Sequence, residues 1–68
     1  MSSIYKVIEI IGSSDKSWED AAKKGVETAA KSLEDLRIAE VKELDMRIED
    51  GKVVEYRAKM RVSFKYKA

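Results

Sequence analysis

Acidic and basic side chains supply most of the reactive groups in this chain. The sequence contains no Cys and no His. This removes thiol nucleophiles, disulfides and zinc clusters, together with the imidazole that serves most often as a general base or metal ligand. No grouping of a nucleophile with a base and an orienting residue is visible among the remaining side chains. We therefore predict that the chain is not an enzyme.

Three carboxylates, Asp15, Glu40 and Glu43, are candidate metal ligands by residue type. Calcium takes about six to eight oxygen ligands, and the acidic turn at residues 49–51 lacks the alternating Asp/Asn ladder of an EF-hand loop. A symmetric oligomer can instead build a calcium site from one acid per subunit around a three-fold axis. We expect any metal site of this chain to be of that intersubunit kind.

Basic residues alternate along the C-terminal part of the chain, and Arg37 lies upstream of them. The row consists of Arg57, Lys59, Arg61 and Lys65. Such a row can receive an anion such as a nucleotide phosphate, or it can pair with carboxylates across strands or subunits. Pairing is favoured for Arg57 and Lys59, whereas both alternatives stay open for Arg61 and Lys65, for which we predict no acidic partner.

The overall composition excludes several classes of protein. The 68 residues include 14 basic and 13 acidic side chains, so the formal net charge is +1, without the basic excess of a nucleic-acid-binding module. A hydrophobic content of 44% is too high for a disordered chain. No secretory signal or membrane-length apolar run is present. We expect one domain covering residues 1–68, located in the cytoplasm, with neither nucleic acid nor membrane as a partner.

Hydrophobic periodicity predicts four elements in the order β-α-β-β. Residues 4–11, 36–48 and 53–66 are rich in the β-branched and aromatic residues typical of strands, with a turn at residues 12–15. Residues 17–33 carry apolar residues at three- and four-residue steps, which indicates an amphipathic helix whose first turn is capped by Ser17. Trp18 is predicted to anchor a core or an interface. Gly25 weakens the helix by about 1 kcal/mol relative to Ala, a cost that close packing would offset.

The charges of the two long strands predict their register. We expect a three-residue loop over Asp50–Lys52, with a positive φ at Gly51, because it keeps apolar residues on one side of the hairpin. The resulting apolar pairs are Ile48 with Val54, Met46 with Tyr56 and Leu44 with Ala58. On the other side it pairs Arg47 with Glu55, Asp45 with Arg57 and Glu43 with Lys59. The alternation breaks at residues 39–42, where we expect the strand to bend. The alternation also predicts that Ile38 lies on the same face as Leu36, and that Ala39 and Val41 lie on the opposite face.

The predicted strands are too long for one helix to cover. A 13-residue strand spans roughly 43 Å, whereas 17 helical residues span roughly 25 Å. Domains of fewer than about 70–80 residues also gain little more than ~3–5 kcal/mol from a single core. We therefore predict that other copies of the chain cover the remaining apolar surface.

Four segments of the sequence resemble the dodecin family: Tyr5–Ser14, the Ala-rich helix, Ala39-Glu40-Val41 and Val62-Ser63-Phe64. The resemblance covers nearly the whole chain. It implies an α+β fold in which a three-stranded antiparallel sheet partly wraps around one helix. It also implies assembly as a hollow homododecamer of cubic (23) symmetry. Flavin-binding members of the family hold pairs of flavins at subunit interfaces and store the cofactor rather than catalyse with it.

The chain departs from the flavin-binding members at three positions that the resemblance marks as ligand contacts. Ile38 stands where those members carry the Trp that stacks on the flavin ring, and Arg57 stands where they carry a Gln. Asp45 lies in a stretch that often reads Ile-Arg-Gly. With Arg37, these residues form the predicted former flavin pocket, and we expect an Asp45–Arg57 ion pair to close it.

The chain more closely resembles the branch that lacks this Trp and includes the calcium dodecins. The resemblance implies a homo-oligomeric protein that binds or sequesters small ligands, without the usual flavin stacking, and that binds calcium or other ions. Two alternatives remain open. One is a flavin-binding or storage dodecin with an altered pocket. The other is a structural shell or interaction module.

Overall fold

The computed structural model describes residues 3–66 and contains one helix and one sheet. The elements are β1 (Tyr5–Ser14), α1 (Trp18–Ala29), β2 (Leu36–Glu49) and β3 (Lys52–Lys65). The sheet order is β1-β3-β2, and both neighbouring pairs are antiparallel. The predicted order β-α-β-β and the antiparallel sheet are confirmed. No helix in residues 3–66 is long and apolar enough to cross a membrane.

Strand β1 is longer than predicted, and helix α1 is shorter. The turn expected at residues 12–15 begins later, because Gly12 and Ser14 still pair with Ala58 and Tyr56 of β3. Helix α1 begins after Ser17, whose Oγ accepts a hydrogen bond from the Asp20 backbone N–H at 3.0 Å, so the predicted cap is confirmed. Helix α1 ends four residues earlier than predicted. Just after it, the backbone N–H groups of Lys31 and Ser32 bond to carbonyls three residues back, which tightens the end of the helix.

The core lies between α1 and the face of the sheet that we call the inner face. Ala21 of the helix and Ala58, Met60 and Val62 of β3 are almost completely buried there. The helix comes close to the sheet because Gly12 and Gly25 lie opposite each other. A Cβ atom built on Gly25 would lie 3.2 Å from the Gly12 Cα atom. The close packing predicted for the Gly-Ala stripe of the helix is therefore confirmed.

The hairpin between β2 and β3 has a two-residue turn, which corrects the predicted three-residue loop. Asp50 and Gly51 both have positive φ, 50° and 74°, as a type I′ turn requires, and that turn matches the twist of paired strands. Glu49 pairs with Lys52, and Ile48 pairs with Val53 rather than with the predicted Val54.

A register shift between Arg47 and Ile48 accommodates the extra residue beside the turn. Beyond that shift the register is the predicted one. It pairs Met46 with Tyr56, Leu44 with Ala58, Arg47 with Glu55, Asp45 with Arg57 and Glu43 with Lys59.

Two more register shifts interrupt β2, between Leu36 and Ile38 and between Val41 and Glu43. The second lies where the broken alternation predicted a bend. Together they reverse the predicted sides of three residues. Ala39 and Val41 pair with the inner-face residues of β3, whereas Ile38 pairs with Ser63 on the opposite face, which we call the outer face.

The protomer is elongated, with extents of 53 × 20 × 14 Å and a radius of gyration of 14.0 Å. A compact chain of this length has a radius of gyration of about 11 Å. The accessible surface is 5295 Å², whereas a folded monomer of 7.7 kDa exposes about 4,300 Å². The chain thus has an excess of about 1,000 Å². Every residue of β2 after Leu36 is exposed, so much of this strand lacks cover within the chain.

Candidate functional site

The outer face carries a ladder of ion pairs between β2 and β3. Its best-formed member joins Asp45 and Arg57 through two hydrogen bonds, from Nε to Oδ1 at 2.7 Å and from the terminal guanidinium nitrogen to Oδ2 at 2.9 Å. These bonds lower the pKa of Asp45 and raise the pKa of Arg57. The strand register places Asp45 directly opposite Arg57, and the predicted ion pair is present.

The neighbouring charges of the ladder are also paired. Lys59 lies 3.8 Å from Glu43, and Arg47 lies 3.3 Å from Glu55 and also contacts Glu49. The hydrogen bonds that Arg47 donates to Glu49 and Glu55 raise the pKa of Arg47. Pairing across strands therefore accounts for Arg57 and Lys59, which removes them as free anion receptors within one chain.

Arg61 lies opposite two acids. Glu9 of β1 and Glu40 of β2 are its register partners on either side, which corrects the expectation that it has no acidic neighbour. The ion pairs that Asp45, Arg47 and Lys59 form in the ladder are exposed to solvent, where an ion pair contributes about 0–1 kcal/mol. The charges of the outer face therefore serve to orient side chains more than to stabilise the fold.

A groove opens on the outer face around Ile38 and Ser63. One cavity of about 280 Å³ is lined by Tyr5, Arg37, Ile38 and Ser63. A second, of about 240 Å³, is lined by Val7, Ile38, Glu40, Arg61 and Ser63. Because the two cavities share Ile38 and Ser63, we treat them as one surface, the Ile38 groove. Its lining combines the small Ser63 with aliphatic, aromatic and charged side chains.

One chain does not bring the four predicted pocket residues together. Arg37 and Ile38 line the Ile38 groove, and Ile38 is 68% exposed. Asp45 and Arg57 lie further along the outer face. The β3 partners of Ile38 and Asp45 are six residues apart, which corresponds to about 20 Å along a strand. The pair at Asp45 can therefore close a pocket at Ile38 only if the two belong to different copies.

The three candidate metal ligands are likewise apart. Asp15 lies between β1 and α1, whereas Glu40 and Glu43 lie on β2. Glu40 is 3.9 Å from Lys42, and Glu43 is paired with Lys59. Within residues 3–66, no three carboxylates lie close enough together to hold a metal ion. A calcium site using these residues needs acids from more than one chain.

Two polar clusters were not predicted from the sequence. Asp20 accepts a hydrogen bond from Ser14 Oγ at 2.6 Å and forms an ion pair with Lys24 at 3.0 Å. The Ser14 bond, followed by the contact with Lys24, lowers the pKa of Asp20. The i,i+4 spacing of Asp20 and Lys24 is a sequence signal for the second contact. No local signal predicts the bond from the strand residue Ser14.

The second unpredicted cluster joins the first turn of α1 to the hairpin. The Trp18 indole N–H donates to the Asp45 backbone carbonyl at 3.0 Å. The Trp18 ring meets Tyr56 edge-on, with the ring centroids 5.2 Å apart and the planes at 72°. Trp18 therefore attaches the helix to the hairpin but lies outside the buried core, and its predicted role as an interface anchor stays a prediction.

The chain thus forms a three-stranded antiparallel sheet packed on one helix, with the Ile38 groove on its outer face. The Dodecin family profile matches residues 4–67. The chain therefore belongs to the dodecin family.

Calcium dodecin from Mycobacterium tuberculosis is 49% identical to this chain over 63 residues, covering 93% of this chain and 89% of that protein. The crystal structure of calcium dodecin from Mycobacterium tuberculosis, a calcium-chelating antigen with a novel calcium-binding site, matches this chain with a TM-score of 0.85. The two sequences are 50% identical, and the match covers 96% of this chain and 93% of that chain. Dodecin from Streptomyces davaonensis matches with a TM-score of 0.94 and 26% identity, over the whole of both chains.

Proposed function

We propose that this protein is the subunit of a dodecin-like homododecamer that binds or sequesters small ligands or ions, with calcium as its first candidate ligand. The observation that carries the proposal is the 49% identity to a calcium dodecin over 93% of this chain. We further propose that it acts in the cytoplasm as a single domain over residues 1–68, and that it is not an enzyme.

Assembly is supported by the surface that one chain leaves uncovered. Eleven large hydrophobic side chains among the described residues are exposed, between 42% and 68%. The surface exceeds that of a compact monomer of equal mass by about 1,000 Å². A standard interface buries about 800 Å² on each partner. The excess therefore matches an interface with at least one other copy.

Calcium binding between copies is supported by the chemistry and exposure of the candidate acids. Asp15, Glu40 and Glu43 are all exposed, so their carboxylates are accessible to a neighbouring subunit and to solvent. Acids repeated around a symmetry axis raise the number of oxygen ligands without requiring a cluster in one chain. On binding the ion, Glu40 would lose its weak contact with Lys42, and Glu43 would lose its weak contact with Lys59.

Isothermal titration of the assembled protein with Ca²⁺, after dialysis against a chelator, tests this function. A ligand that binds only the folded assembly also raises its thermal stability. We expect binding, and we expect Asp15→Asn, Glu40→Gln or Glu43→Gln to weaken it. The control is Glu27→Gln, which removes an exposed carboxylate from α1. Absence of heat and of stabilisation at millimolar Ca²⁺ would refute calcium as the ligand.

Flavin binding in an altered pocket is the second candidate, and the Ile38 groove favours it. The groove offers apolar walls, but Ile38 forfeits an aromatic stack worth about 0.5–1.5 kcal/mol beyond burial. That loss alone corresponds to roughly 2- to 13-fold weaker binding. If the Asp45–Arg57 pair of one copy lies against the Ile38 groove of another copy, it occupies space that the flavin needs and weakens flavin binding further.

Titration with riboflavin and FMN, followed by flavin fluorescence, separates the two candidates. We expect no quenching at micromolar flavin with the natural sequence. We expect quenching once Ile38→Trp, Asp45→Arg and Arg57→Gln are combined. Quenching by the natural sequence would refute the closed-pocket account and favour a flavin dodecin. An intact assembly that binds neither calcium nor flavin would favour a structural shell or interaction module.

A further inference from the structure

The turn between β2 and β3 contains a dipeptide that is open to a spontaneous covalent change. Asp50 is followed by Gly51, and a glycine offers its backbone nitrogen without a side chain to hinder attack on the preceding carboxyl group. The four other aspartates precede residues that carry side chains: Asp15, Asp20, Asp35 and Asp45. The sequence also has no Asn, so no side-chain amide elsewhere competes for the same chemistry.

The structure leaves both reacting residues accessible. Asp50 and Gly51 are exposed, and a Cβ atom built on Gly51 would have no heavy atom within 4 Å apart from its chain neighbours. The strand pair next to the turn is Glu49 with Lys52, so Gly51 lies outside the paired residues. Its backbone nitrogen therefore has room to move towards the Asp50 side chain.

Two of the other aspartates are held by partners. Asp20 is bonded to Ser14 and paired with Lys24, and Asp45 receives two hydrogen bonds from Arg57. Such contacts restrict the approach of the carboxyl group to the next backbone nitrogen. Sequence and structure thus select the same aspartate, Asp50.

The backbone of the turn also favours a change at this position. Asp50 has a φ of 50°, in the left-handed region that L residues other than glycine enter at an energetic cost. The turn lies at the end of the hairpin, and tips of this kind open locally most easily. Opening lets the bond between the Asp50 Cα and carbonyl carbon rotate, which brings the Gly51 nitrogen to the side-chain carboxyl group.

We propose that Asp50 is a modification site, at which aspartate converts without an enzyme to isoaspartate through a succinimide formed with Gly51. The Gly51 nitrogen attacks Cγ of the protonated Asp50 carboxyl group, and the nitrogen's proton and the carboxyl hydroxyl leave as water. Water then adds to the former backbone carbonyl carbon and opens the ring. The chain afterwards continues through Cγ, and the former backbone carbonyl has become a free carboxylate, so the final mass and charge are unchanged.

The turn differs from the apolar surface for which we expect cover by other copies. It consists of Glu49, Asp50, Gly51 and Lys52 and has no apolar side chain. Interfaces between proteins are depleted in Asp, Glu and Lys, so the turn should stay accessible to water in the assembled protein. The inference does not rest on the proposed function, because every reacting atom belongs to one chain.

Incubation of the natural protein at neutral pH, followed by trypsin digestion, tests the proposal. Arg47 and Lys52 flank the site, so trypsin releases residues 48–52 as one peptide. We expect a second chromatographic form of this peptide, with the same mass, that accepts a methyl group from an isoaspartyl methyltransferase. The peptide 43–47 contains Asp45 from the same hairpin and is the internal reference, in which we expect at least tenfold less isomer.

Two substitutions of Asp50 separate this chemistry from general damage. Asp50→Asn retains a residue type that accepts positive φ and forms the same succinimide with loss of ammonia, so we expect isoaspartate at least tenfold faster. Asp50→Glu retains the charge but has to close a larger ring, so we expect the isomer to form at least tenfold more slowly. Far-UV circular dichroism of both variants should match that of the natural protein.

The outcomes either support the site or overturn it. The second form in the natural protein, with the expected order of the three rates, supports the site. Its absence after a hundred half-times of the Asp50→Asn conversion would overturn the proposal. Equal amounts of isomer at Asp45, or in the Asp50→Glu variant, would overturn it as well, because the turn would then not select the residue. Light scattering on the same samples reports assembly separately, so a failure of the proposed dodecamer is distinguishable from a failure of this site.

Discussion

Gly12 is the position where one added methyl group should disturb this fold most. A Cβ atom at Gly12 would overlap the carbonyl oxygen of Ala21 and lie 3.0 Å from its carbon. Both atoms belong to the backbone of Ala21, which is fully buried, so no side chain can rotate away. The helix has to move off the sheet, and the packing of Ala21 in the core is loosened.

The expected cost of Gly12→Ala is about 3 kcal/mol of unfolding free energy, at the upper end of the range for overpacked cores. Gly25→Ala is the matched control, because it adds the same methyl group on the other side of the same contact. Its Cβ would meet the end of the Met60 side chain at 2.8 Å, which can shift, and the Gly12 Cα atom at 3.2 Å, a tight backbone contact that a movement of a few tenths of an ångström relieves. The helix also gains about 1 kcal/mol of propensity. We therefore expect Gly25→Ala to change stability by about 1 kcal/mol at most.

Urea unfolding followed by circular dichroism measures both variants. All proteins must be compared at equal concentration, because assembly contributes to apparent stability. Gly12→Ala with natural stability, or a larger loss from Gly25→Ala than from Gly12→Ala, would refute the reasoning from close helix–sheet approach.

Three further predictions concern polar contacts. Ser17→Ala removes the cap of α1 and should cost about 0.5–2 kcal/mol in urea unfolding, whereas Ser17→Asp should retain most of that stability. Ser14→Ala should raise the pKa of Asp20 towards its ordinary value of 3.8, measured by NMR titration of the carboxyl carbon; an unchanged pKa would show that Ser14 is not its main cause. The folded state lowers the pKa of Asp45, so its pairing with Arg57 stabilises the fold fully above about pH 4 and is lost as the pH falls through the lowered pKa. Asp45→Asn should therefore flatten the fall in thermal stability below pH 4, and an unchanged pH profile would contradict the pairing.

Much of the fold was predictable because local patterns and cross-strand charges agree. The strict alternation in β3 and the three opposite-charge pairs, Asp45–Arg57 among them, determined the register over most of the hairpin. The turn was predicted wrongly because side-chain parity was the only guide. A register shift beside Ile48 reconciles a two-residue turn with that parity, and such shifts leave no clear local pattern in the sequence.

The candidate site was less predictable, for a geometric reason. The register shifts in β2 determine that Ile38 lies on the outer face, opposite Ser63, and the sequence showed only that the alternation breaks nearby. Ile38 and Arg57 are also about 20 Å apart in one chain. Whether they share a pocket depends on contacts between copies, which no pattern within one chain encodes.

The mass of the protein in solution tests the central claim most directly, because the proposed ligand sites need neighbouring copies. Light scattering coupled to size-exclusion chromatography should give twelve chains of 7.7 kDa, about 92 kDa in total, from micromolar protein. A folded species of 7.7 kDa at the same concentration would contradict the account.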